Sequence, residues 1–144
     1  MVISTPELAF EFFKINLTNS HSEELWIAAL DSNSTVISSA MLFKGTVNYC
    51  LFHPRDIFRF VILHNSVSFL LAHNHPSNSS LPSPEDIELT RRIYCLSQLM
   101  QIPLQDHIIT TKDSFYSFSR ENHFKKWNKL KLPENILDRH TWKL

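Results

Sequence analysis

Residues 25–30, Leu-Trp-Ile-Ala-Ala-Leu, are apolar on both parities. An extended chain sends alternate side chains to opposite faces, so this run needs cover on both sides. It reads as a strand, beginning at Glu23, inside a layered domain. Upstream, Ser4-Thr5-Pro6-Glu7 has the chemistry of a helix start, and Ala9, Phe10, Phe13, Lys14 and Leu17 continue a helical stripe to about residue 19. Downstream, Asp31-Ser32-Asn33-Ser34 is turn chemistry and 35–43 reads as a second strand, which predicts an antiparallel hairpin. His53-Pro54-Arg55-Asp56 opens a helix to about residue 65, and 67–72 is a short apolar strand. Ser83 opens a long helix to about residue 101, with Leu89, Ile93, Leu96 and Met100 spaced to face the core. Strands follow at 104–111 and 114–118. Strands alternating with helices give an α/β fold of three layers, a mixed sheet flanked by helices. The reading is of one domain over 1–144: an N-terminal helix (1–19), a core (about 20–120) and a basic amphipathic tail (121–144).

Composition narrows the chemistry. At 144 residues the chain is too short for a complete TIM barrel. Gly45 is the only glycine, which excludes Gly-rich phosphate loops. The 14 basic and 14 acidic residues cancel, so bulk charge does not drive binding to DNA or acidic membranes. Cys50 and Cys95 make no CxxC pair and read as buried thiols in a reducing compartment. The first residues lack a basic leader region and no apolar run could span a bilayer, so no membrane partner and a cytoplasmic location are expected.

The chemistry concentrates in His73-Asn74-His75-Pro76, followed by Ser83-Pro84-Glu85-Asp86. Histidines at i and i+2 just past a strand point the same way and can reach one ion. The ten residues between His75 and Asp86 form a loop that can return a helix's first turn over the strand end. Two imidazoles and a carboxylate leave a fourth tetrahedral position for water, the pattern of a catalytic zinc. Ser83-x-x-Asp86 is also close to a capping box, with Pro84 at the first helical position, and that structural role is compatible with metal ligation by Asp86.

His-x-His-Pro, six residues, Ser, two residues, Asp is the JAMM (JAB/MPN) metalloprotease motif, matched here from His73 to Asp86. More narrowly, the chain resembles the RadC family. His73-Asn74-His75-Pro76-Ser77 and Pro82-Ser83-Pro84-Glu85-Asp86 follow the RadC pattern, as do Gly45-Thr46, His53-Pro54-Arg55, Thr90-Arg91-Arg92 and Asp106-His107. The resemblance spans about residues 20–120 and implies a JAMM, cytidine-deaminase-like architecture. It implies one Zn2+ held by His73, His75 and Asp86, oxyanion stabilisation by Ser83, and a strand glutamate as general base. Glu23 and Glu24 are both candidates, and apolar parity does not separate them. The family spacing, eight positions before Asp31, selects Glu23. Asn78 stands where the RadC pattern has glycine, and the family's N-terminal helix-hairpin-helix region has no counterpart, so a stand-alone domain is expected.

Two functions compete. One is zinc-dependent hydrolysis of a peptide or isopeptide bond in a protein or peptide substrate. The alternative is a DNA-associated module of the DNA-repair type with a structural or vestigial metal site, resting on Lys125, Lys126, Lys129, Lys131, Arg139 and Lys143. A zinc deaminase fails on residues, because Pro-Cys-x-x-Cys is absent. His107, on a strand after Asp106, reads as a support for the site or a structural residue rather than a ligand.

Overall fold

The computed structural model describes residues 1–17, 21–45 and 53–129. Cys50 and most of the expected basic tail, including Lys131, Arg139 and Lys143, lie outside the described residues. The described elements run α1 (Pro6–Leu17), β1 (Glu23–Leu30), β2 (Val36–Gly45), α2 (Pro54–Leu63), β3 (Ser68–Asn74), α3 (Pro84–Met100), β4 (Leu104–Thr110), β5 (Phe115–Ser117) and α4 (His123–Lys129).

The five strands form one mixed sheet in the order β2-β1-β3-β4-β5. β1 pairs antiparallel with both β2 and β3, while β3 and β4 are parallel and joined through α3. The expected hairpin of β1 and β2 is present. Its turn is secured by Asp31, whose Oδ1 accepts from the backbone N–H groups of Asn33 and Thr35, both at 2.8 Å.

The two parities of β1 are buried by different layers. Leu25 and Ile27 join Phe69, Leu71 and Ile109 beneath Ile57 and Val61 of α2, Ile93 and Tyr94 of α3, and Trp127 of α4. Ala28 and Leu30 join Leu70, Ala72 and Ile108 beneath Ala9, Phe10, Phe13 and Leu17 of α1. Small Ala28 and Ala72 make room for the rings, and burying a side chain such as Phe13 stabilises by about 1.5–3 kcal/mol. The three-layer α/β architecture is therefore the observed one.

Three details differ from the sequence reading. β3 runs to Asn74, so His73 lies within the strand rather than past its end. Met100 is 45% exposed, and the buried positions of α3 are Asp86, Thr90, Ile93, Tyr94 and Ser97. The polar members belong there because the helix begins over a polar strand end. Cys95 is half-buried rather than buried.

Candidate metal centre

Strand polarity brings three distant segments to one end of the sheet. β3 and β4 are parallel and end there, and antiparallel β1 begins there. α3 also starts there, with Ser83 as its N-cap and Pro84 at its first position. Ser83 Oγ accepts the Asp86 N–H at 3.1 Å, and Asp86 Oδ2 accepts the Ser83 N–H at 2.8 Å. This reciprocal cap fixes the Asp86 carboxylate above β3.

His73, His75 and Asp86 converge as a group that could hold a metal ion. The two Nε2 atoms are 3.0 Å apart, and each is 3.3 Å from an Asp86 oxygen. Tetrahedral ligands with bonds of about 2.0–2.1 Å stand roughly 3.3 Å from one another, so these separations fit one small ion. The donor set, two imidazoles and a carboxylate, suits a borderline-soft divalent metal.

Electrostatics support the same reading. Burial alone would raise the Asp86 pKa, but hydrogen bonds from His73, His75 and the Ser83 N–H hold it well below the usual carboxylate range. Asp86 is therefore ionised at neutral pH and ready to ligate. Hydrogen bonding to Asp86 raises the His75 pKa against the opposing effect of burial, with smaller contributions from the Ser79 carbonyl and the Glu23 charge.

The sheet register separates the two glutamates. Leu25 lies directly opposite His73, so Glu23, two residues earlier, projects on the same face as His73. Glu24 projects on the other face and is buried. There its carboxylate accepts from Trp26 Nε1 at 3.0 Å and pairs with Lys44 at 3.2 Å. Between the two histidines, Asn74 also points to that other face, and its amide bonds the backbone of Ser22 and Glu24. Beside His75 is a cleft of about 350 Å³ lined by Asn74, Pro76, Asn78, Thr110 and Lys112 among others.

Residues 3–124 match the RadC-like JAB domain. The chain belongs to this family. A UPF0758 protein of Picosynechococcus sp. is 35% identical over 134 residues, covering 93% of this chain and 54% of the relative. A UPF0758 protein of Haemophilus ducreyi is 34% identical over 83% of this chain and 53% of its own. One from Enterococcus faecalis is 40% identical over 71% of this chain and 44% of its own. The chain thus spans about half the length of these curated relatives.

Departures from the RadC pattern are accommodated locally. Asn78 does not take a positive φ, so its loop needs no glycine. Gly45 does, at φ +145°, directly opposite Glu23 in the β1–β2 ladder. The sequence reading had two residues of this RadC-like JAB domain only as matches to the family pattern and missed their contacts. Asn74 is the middle residue of His-x-His, and Thr90 lies four residues after Asp86, one turn along α3. That helical spacing was the available signal for Thr90.

Proposed function

We propose that this domain is a zinc-dependent hydrolase acting on a peptide or isopeptide bond of a protein or peptide substrate. The observation that carries the reading is the triangle of His73 Nε2, His75 Nε2 and an Asp86 carboxylate, with sides of 3.0, 3.3 and 3.3 Å. Membership of the RadC-like JAB domain family supports it. His73, His75 and Asp86 would hold the ion, which supplies Lewis acidity and lowers the pKa of water. Glu23, on the same sheet face as His73, accepts a proton from the attacking water and returns it to the leaving nitrogen. Ser83 caps α3 as an acceptor, which leaves its O–H hydrogen to donate to a developing oxyanion. No described helix is long and apolar enough to cross a membrane, and a cytoplasmic location rests on the composition alone.

The deciding experiment measures metal content of protein purified without chelator, beside His75→Ala, followed by a peptide-library cleavage screen. About one zinc per chain, lost in His75→Ala, with cleavage abolished in Glu23→Ala, supports the proposal. Absence of zinc after reloading, together with steeply salt-dependent DNA binding, would replace it with the DNA-associated alternative.

A further inference from the structure

We propose that Thr90 and His107 are positioning residues that set the tautomer of His73, so that its Nε2 lone pair faces the metal position. This inference rests on the metal-centre reading, but its first readout needs no metal.

The residues form a closed circuit that begins and ends on Asp86. Thr90 Oγ1 is 2.6 Å from the Asp86 carbonyl oxygen and 2.7 Å from His107 Nδ1. His107 Nε2 is 2.8 Å from His73 Nδ1, and His73 Nε2 is 3.3 Å from Asp86 Oδ1. Thr90, His107 and His73 are all buried, so water does not substitute for these partners.

The proton positions follow by elimination. A carbonyl oxygen only accepts, so the single Thr90 hydroxyl hydrogen must lie towards Asp86 O. Otherwise two oxygen lone pairs would oppose each other across 2.6 Å. Thr90 Oγ1 must then accept from His107 Nδ1–H. His107 is fully buried, and its two ring nitrogens meet a hydroxyl and an imidazole rather than a carboxylate, so no partner offsets the cost of a charge there. It is therefore neutral, and its Nε2 carries a lone pair that accepts from His73 Nδ1–H. With its Nδ1 hydrogen committed to His107, His73 has only Nε2, the nitrogen aimed at His75 and Asp86, to offer an ion. Phe118, stacked on the His107 ring at 5.3 Å between centroids and 15° between planes, holds the ring in the plane the relay needs.

His75 reaches the same state by a shorter route. Its Nδ1 lies 2.9 Å from the Ser79 carbonyl, which only accepts, and its Nε2 is left for the ion. His73, inside β3, has no loop carbonyl at that position in this relay and uses α3 through two intermediaries. The circuit also closes on the residue that supplies the third ligand. A displacement of α3 therefore perturbs Asp86 and the His73 tautomer together.

The test uses Thr90→Val, which matches the threonine in shape but removes the acceptor for His107 Nδ1–H. Thr90→Ser restores the hydroxyl. Imidazole 15N–1H correlations are recorded for the metal-free proteins, and the hydrogen on His73 Nδ1 is read from them whether or not Nε2 also carries one. Zn2+ affinity is then measured on the same samples. The expected result is a hydrogen on His73 Nδ1 in the wild type and in Thr90→Ser. Thr90→Val should switch His73 to Nε2–H and weaken Zn2+ binding roughly 10–100-fold. An unchanged His73 tautomer in Thr90→Val overturns the proposal. A switched tautomer in a protein that binds no Zn2+ even as wild type upholds the relay and removes the metal reading instead.

Discussion

Asn74 and Glu24 are tied across the sheet: Asn74 Oδ1 accepts the Glu24 backbone N–H at 2.7 Å. At its other end the same amide donates to the Ser22 carbonyl at 2.9 Å. The two bonds bracket Glu23, so the residue between the candidate ligands also fixes the segment that carries the candidate base. Aspartate has no donor for Ser22, and alanine removes both bonds. We expect Asn74→Ala to lose about 1–3 kcal/mol of stability. Turnover should fall about tenfold or more through displacement of Glu23, with Zn2+ content near that of wild type. Urea unfolding, metal analysis and peptide cleavage on the same sample check this. Loss of metal in step with activity would place the role of Asn74 in the ligands instead.

Metal removal should be visible in stability. A ligand at about 100 times its Kd adds about 2.7 kcal/mol, which for a domain of this size raises Tm by several degrees. Chelator treatment should therefore lower the Tm of the zinc-loaded protein, and readdition should restore it. His75→Ala and Asp86→Ala should show no such response to Zn2+. Asp86→Ala should in addition lose about 1 kcal/mol without any metal, because its carboxylate caps the Ser83 N–H. Differential scanning calorimetry with and without Zn2+ measures both effects.

Asp106 gives a pH-dependent prediction. Burial pushes its pKa up to about 6, against the hydrogen bonds from Ser117 and the Ser119 N–H. Its folded pKa exceeds its unfolded value, so the folded state binds more protons between roughly pH 4 and pH 6. The contribution of Asp106 to stability is present in full at the acid end of that window. It declines by roughly 3 kcal/mol as pH rises through it, then stays level. The stability difference between wild type and Asp106→Asn should follow this course in urea titrations. A difference independent of pH would mean that Asp106 keeps its ordinary value in the fold.

Gly45 sits opposite Glu23 with φ +145°, and a Cβ there would meet the Phe43 ring at 3.2 Å. Gly45→Ala should destabilise by about 1–3 kcal/mol. Because the strain falls beside Glu23, turnover should decline more than Zn2+ binding. Equal losses in both would indicate a general loosening of the sheet end.

The layered fold was legible because β1 is apolar on both parities and a sheet buried on both faces has few architectures. The convergence of the candidate ligands was legible because their spacing is short and local, from His73 to Asp86. The placement of Glu23 on the His73 face was not derivable from parity, since both faces of β1 are apolar. It needed the register with β3, which only the folded pairing supplies. Met100 misled because helical spacing alone does not say where a helix overhangs its sheet. The Thr90–His107 relay escaped because its members lie on different elements and make no local pattern. His107 was read as a support on its neighbourhood alone, without its partner.

The parallel pairing of β3 with β4 inside an otherwise antiparallel sheet has a kinetic consequence. Glu23, His73, Asp86 and His107 meet only after the chain has closed loops of tens of residues and carried α3 across the sheet. Non-local closure of this kind is slow relative to local helix formation. The assembled centre is therefore a property of the finished domain, and zinc capture during refolding should lag behind the appearance of helix.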